Sequence, residues 1–278
     1  MKLPLSVKAA LLTVVLLGVF LFIWYLATLP VERATTANDE YAALMGKASQ
    51  KTSGLPTLTQ MGEVTWQHLT HPFYDNGPND KGIGIQLAYS LARVLSGFAL
   101  AALVAIPVGF VIGMSPLLRR ALDPFIQVLK PISPLAWMPL ALYTIKDAAT
   151  SSIFVIFICS LWPMLINTAF GVASVRREWL NVAHTLEVSP MRKAFRVVLP
   201  AAAPTIMTGM RISMGIAWLV IVAAEMLVGG LGIGYFVWNE WNNLSLANVI
   251  FAILVIGFVG MLLDFIFARL QRLVTYEE

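Results

Sequence analysis

At 278 residues, 58% of them hydrophobic and only 12% charged, with a mean hydropathy of +0.77, the chain has too few polar groups to clothe a soluble globule. Lipid must therefore cover much of its surface. The net charge of +4 would suit a nucleic-acid partner only if the basic residues formed a face on a soluble domain; they sit in short loops between apolar runs, the pattern of topology-setting charge.

In chain order, Lys2 and Lys8 precede an apolar stretch that runs from Ala9 to about Val31. It is longer than a signal-peptide core, and it predicts an uncleaved first membrane helix over residues 1–31. An external segment follows over 32–86, polar at its start. Within it, Leu58, Met61, Val64, Trp66 and Leu69 make an amphipathic stretch from Thr57 to His71, ahead of the turn-rich Tyr74-Asp75-Asn76-Gly77-Pro78. A helix lying among lipid headgroups and a docking surface are equally good accounts of it.

A membrane core over 87–272 contains further apolar runs near 87–114, 122–145, 150–172, 203–228 and 247–268. With the first helix they give an all-α integral membrane protein of about six transmembrane helices. Arg119, Arg120, Arg176, Arg177, Arg192 and Arg269 then share one face with Lys2 and Lys8, which places that face and both termini in the cytoplasm. The third run holds Pro124, Pro131, Pro134 and Pro139, so its helix cannot be continuous. Broken segments are tolerated at membrane depth mainly where they meet protein or line a cavity. A pathway wall is therefore expected at Trp137, Met138 and Pro139, facing Trp162, Asn167 and Trp218, although tryptophans in spans also serve as interfacial anchors or packing.

The cytoplasmic connection over 173–203 is too long for a turn. Trp179, Val182, Ala183 and Leu186 recur at helical spacing, Ser189-Pro190 breaks the pattern, and a second short helix is expected to close at Leu199-Pro200. A helix too polar to span, yet carrying an apolar stripe, needs a partner to cover it. Among ionisable groups at membrane depth, Arg93 and Lys130 are expected to snorkel to the interfaces. Arg211 falls in the cytoplasmic half of its span, where it either lowers the barrier for an anion or pairs with a neighbouring carboxylate or backbone carbonyl; Asp264 is a further ionisable group at membrane depth. Glu225 lies fourteen residues further, about 21 Å along a helix, at the external end, and serves a gate, a subunit interface or packing.

Other chemistry is poorly supplied. No Gly-x-x-x-x-Gly-Lys-Ser/Thr phosphate loop occurs, so any ATP and magnesium belong to partner subunits and no cofactor is expected on this chain. His68, His71 and His184 are divided between opposite faces, so neither a metal site nor a catalytic set is expected. Cys159 is a lone core residue, and the glycine-rich Gly229 to Gly234 reads as a helix-ending turn.

Asn181-Val182-Ala183, then Glu187, then Leu199-Pro200 resembles the coupling-loop signature of bacterial ABC importer permeases. That signature is a Glu-Ala-Ala triplet, a Gly shortly after and a hydrophobic-Pro close; Asn181 stands where Glu is usual and Glu187 where Gly is usual. Ser90 to Phe98, Ala136 to Leu140, Ala223 to Leu227 and Gly232 to Asn239 are similar to the nitrate, sulfonate, taurine and bicarbonate branch, with the cyanobacterial nitrate/nitrite permeases most alike. The resemblance implies a type I importer permease fold in a bacterial inner membrane and alternating access through a pair of permease subunits. Two cytoplasmic ATPases would grip Trp179, Asn181, Val182, Ala183, Leu186, Glu187 and Pro200, and an external solute-binding protein would deliver a small anion. Nitrate or nitrite comes first, bicarbonate or cyanate second and alkylsulfonates third. A membrane enzyme would need convergent catalytic groups at one depth, and a gradient-driven transporter would need acidic relays and inverted repeats.

Overall fold

The computed structural model describes residues 4–29, 55–77 and 80–274, and every regular element among them is helical. The chain divides into two compact units, one comprising residues up to His71 with Glu240–Phe251, the other Pro72–Asn239 with the residues from Ala252 onward.

In the first unit, α1 (Leu5–Ala27) leaves nearly all of its apolar side chains uncovered by protein, as a helix sheathed in lipid must. The Trp24 indole donates to the Pro56 carbonyl at 3.0 Å. Helix α2 (Leu58–Thr70) starts at a reciprocal capping box in which the Gln60 N–H donates to Thr57 Oγ1 and the Thr57 N–H to Gln60 Oε1. Its Met61 is buried, while Trp66 and Leu69 stay exposed. The polar start of the external segment, 30–54, and Pro78 of its turn lie outside the described residues.

The second unit opens on a small turn. The Lys81 ammonium donates to the Asp75 carboxylate, and with the Gly77 N–H it holds that carboxyl below the usual range. Helix α3 (Ile83–Met114) follows, and Gly97, Ala101, Ala105, Gly109 and Gly113 recur along it every four residues. This smooth stripe admits α6 (Ala148–Ala173): a Cβ at Gly97 would strike Ile156 and the Ile153 carbonyl, and one at Gly109 would strike Thr168 and the Leu165 carbonyl. Small residues at four-residue spacing are how membrane helices approach closely enough to gain dispersion contacts that lipid cannot offer.

Between them, α4 (Pro116–Leu129) and α5 (Pro134–Ile145) meet at 90°. Their 14 and 12 residues reach only about 21 and 18 Å at 1.5 Å each, short of a hydrocarbon core of about 30 Å. The expected interruption of the third run is therefore a sharp corner at Lys130–Ser133. Asp147 caps α6 by accepting from the Thr150 N–H and hydroxyl at 2.7 and 2.6 Å, and those bonds hold its carboxyl low.

After α6 come α7 (Arg177–Thr185), α8 (Pro190–Lys193), a π-helical turn (Ala194–Val198) and α9 (Leu199–Val228). The expected closure at Leu199-Pro200 does not occur: Pro190–Val228 is one continuous helix of 39 residues. The reason is local. Pro200 has no N–H to bond back one turn and its ring crowds the carbonyl there, and the widened turn just before it supplies the room. Helix α10 (Ile233–Asn242) and α11 (Leu246–Val274) complete the described residues. Among the described residues, five helices are long and apolar enough to cross a membrane, and the count is six if the bent α4–α5 pair is taken as one span.

Candidate functional site

Three regions of the second unit gather the residues with chemistry. The first is α7. Leu180 and Ala183 turn inward, Leu180 joining the cluster of Val172, Val175, Val198, Ala202 and Ile206. Trp179 (44% exposed), Val182 and Leu186 (70%) form an uncovered apolar row on the other side, with Asn181 also exposed. The expected stripe is thus split, with Ala183 facing the core and the other three facing out. The Arg176 guanidinium lies 5.8 Å from the Trp179 ring centre. The helix ends in a Schellman motif, the Glu187 N–H donating to the His184 carbonyl and the Val188 N–H to the Ala183 carbonyl at 3.0 and 3.1 Å. Glu187 has φ 50°, a conformation that suits glycine. That geometry is the physical reason for Gly in the signature at this point. Pro200 sits inside the continuous helix, just past its π turn.

The second region surrounds Glu225, which is 1% exposed. Its carboxylate accepts from the Ser90 hydroxyl at 2.8 and 2.9 Å, from Arg93 at 2.8 Å and from the Gly234 N–H at 3.0 Å. Arg93 also donates to the Leu231 carbonyl at 2.5 Å, the Ile233 N–H to Ser90 Oγ at 2.9 Å, and the Gly232 N–H to Gln86 Oε1 at 2.6 Å. The glycine loop after α9 is in this way fastened to α3. Gly232 at φ 153° lies so close over the carboxylate that a Cβ would collide with it. Arg93 does not snorkel, because its charge is neutralised inside the protein, where its side chain is 15% exposed. Gln86, Ser90 and Arg93 lie at i, i+4 and i+7, one helical face of an apolar run. That spacing was the available signal for this cluster, and apolar counting passes over it.

The third region lies between α9 and α11. Arg211 Nε and Nη2 donate to the two Asp264 oxygens at 2.6 and 2.7 Å, so Arg211 pairs with a neighbouring carboxylate. The Trp218 indole donates to the Ile256 carbonyl at 3.0 Å, and Gln271 to the Thr208 hydroxyl at 2.9 Å. Arg211, Trp218 and Asp264 line one hollow of about 250 Å³, walled by Met214, Gly215, Leu219, Ile256, Gly257 and Gly260.

The remaining expected pathway residues are dispersed. Asn167 opens onto a separate hollow of about 320 Å³ with Arg119, Asp123, Gln127 and Lys130, while its amide donates to the Pro163 carbonyl. Met138 is buried, Pro139 is exposed and Trp162 half-buried, and the buried Trp137 indole N–H has no acceptor among the described residues.

Comparison with known proteins fits this architecture. The MetNI methionine ABC transporter in an inward-facing form shares the fold, with a TM-score of 0.61 at 15% identity over 68% of this chain and 94% of that one. The fold is accordingly that of a type I ABC importer permease. The chain is 47% identical over 226 residues to the nitrate import permease protein NrtB of Synechocystis sp., covering 81% of this chain and 82% of that protein. It is 45% identical over 208 residues to the bicarbonate transport system permease protein CmpB of the same organism, covering 74% of each. Residues 105–276, more than half of the chain, match the family model described as binding-protein-dependent transport system inner membrane component. The helical spans, the exposed row on α7 and these relatives agree, and the chain belongs to the family of binding-protein-dependent transport system inner membrane components.

Proposed function

We propose that this chain is the permease subunit of an ATP-driven importer in a bacterial inner membrane, carrying a small inorganic oxyanion, nitrate or nitrite, by alternating access. One observation carries the reading: the apolar row Trp179, Val182 and Leu186 is uncovered, while its helix is rooted in the core through Leu180 and Ala183. An amphipathic helix seated in a groove is a standard recognition mode, and a rooted one transmits rigid-body motion. The groove belongs to a cytoplasmic ATPase that binds and splits ATP with magnesium; a second copy of the permease completes the pathway and an external solute-binding protein supplies the anion. The nitrate assignment follows the relatives named for nitrate import, and bicarbonate is the second reading because the bicarbonate permeases are nearly as similar. Both ions are small oxyanions, so one pathway chemistry serves either.

The test is ATP-dependent uptake of labelled nitrate and bicarbonate into liposomes holding the chain with its co-expressed ATPase, for wild type and Leu186→Asp. The expected result is nitrate uptake that disappears in the variant while its thermal unfolding is unchanged. Equal uptake by the variant sinks the coupling role, and uptake of bicarbonate alone moves the substrate to the second reading.

A further inference from the structure

We infer that the hollow between α9 and α11 is a holding site for a small oxyanion, which enters it by taking the place of the Asp264 carboxylate on the Arg211 guanidinium. The inference rests on the importer reading above. Its first support is the way the hollow arises. The two helices run antiparallel, tied by Thr208 to Gln271, by Arg211 to Asp264 and by Trp218 to Ile256. Between the ion pair and the indole bond, both helices place glycine: Gly215 on α9, Gly257 and Gly260 on α11. A Cβ at Gly215 or Gly257 would meet nothing within 4 Å. The space of about 250 Å³ is therefore one that the sequence leaves unfilled.

The second support is the exposure of the pair. The Arg211 and Asp264 side chains are 38% and 55% exposed on helices that cross the membrane. Charges left against lipid are costly, and ionisable groups in spans face protein or a watery cavity. In the chain by itself the pair stands open at the edge of the unfilled hollow, and on this inference that opening is the aqueous side of the site. Among the lining residues it brings the only charges; Met214, Trp218, Leu219 and Ile256 supply apolar walls.

The third support is the shape of the contact. Arg211 offers two parallel N–H groups to two oxygens of one carboxylate, the fork geometry that guanidinium forms with oxyanions generally. Nitrate, nitrite and bicarbonate present the same edge of two oxygens; chloride does not. Asp264 is thus an internal stand-in for the transported ion. Exposed ion pairs are weak, so the exchange has a low threshold, and the carboxylate can return to expel the anion. A conduit needs that combination of entry and release.

The experiment measures initial rates of ATP-dependent nitrate uptake against nitrate concentration in proteoliposomes holding the full transporter. Asp264→Asn removes the competitor while keeping the side-chain shape, and the apparent KM for nitrate falls by about two- to fivefold, the range that matches the strength of an exposed pair. Arg211→Gln loses saturable uptake. The double variant Arg211→Gln with Asp264→Asn carries no unpaired charge and unfolds at the wild-type temperature, yet stays without uptake. Gly215→Leu fills the hollow with both charges intact and slows nitrate uptake. Chloride at equal concentration leaves the KM for nitrate unchanged, whereas nitrite raises it. Recovery of wild-type uptake in the double variant, or an unchanged KM in Asp264→Asn, reduces the pair to a structural tie and overturns the inference alone. Wild type that accumulates neither nitrate nor bicarbonate overturns the importer reading and this inference with it.

Discussion

Helix α9 carries two acid–base pairs fourteen residues apart, Arg211 with Asp264 and Glu225 with Arg93, and they are built in opposite ways. Glu225 is enclosed, bonded by a hydroxyl, a guanidinium and a backbone N–H, and overlaid by a glycine that leaves no room for a methyl group. Arg211 and Asp264 hold only each other's charge, beside open space. A buried charge in a fully bonded shell is fixed because every partner would be left unsatisfied by its departure. An exposed one with a single partner is free to exchange. The same residue types on one helix therefore serve as a weld at one level and as a movable contact at the other.

Substitutions can break that comparison. The largest effect is expected from Glu225→Ala, which leaves the half-buried Arg93 without its counter-charge and the buried Gly234 N–H without an acceptor; a loss of about 3–5 kcal/mol should appear in chemical or thermal unfolding of the purified chain. If that variant unfolds like wild type, the enclosed pair is no weld. Gly232→Ala should cost about 1–3 kcal/mol, because its methyl group meets the Glu225 carboxyl from a backbone conformation that disfavours a side chain. Gly215→Ala, by contrast, adds a methyl group where nothing stands in the way, and the better helix former should raise stability by up to about 1 kcal/mol. A destabilised Gly215→Ala would mean that the hollow is already occupied by neighbouring side chains.

Much of the fold was legible because lipid imposes a single strong rule: long apolar runs become spans, and the run with four prolines breaks. The small-residue stripe on α3 was equally readable, five positions at four-residue spacing, but it yields to a search for small residues rather than apolar ones. The pairing of Arg93 with Glu225 was not legible, since the two are 132 residues apart and only tertiary packing brings them together. Pro200 reads as a stop at the end of the cytoplasmic connection, but a π turn just before it lets the helix continue. On α7 the helical spacing gave the apolar positions correctly, but which side of the helix met the core depended on Val172 and Val198, whose positions are set by other elements.

The continuous helix from Pro190 to Val228 has a mechanical consequence. At 1.5 Å per residue its 39 residues make a beam of about 58 Å, longer than the membrane is thick. Its foot follows directly on α7, the proposed coupling segment, and its head is riveted through Glu225 to the glycine loop and to α3. Beyond the π turn and the two prolines near its base, Pro200 and Pro204, the helix is regular up to its head, so tilting that length would carry the head with it. On the proposed coupling role, a push on α7 reaches the glycine loop through a single helix and needs no separate relay.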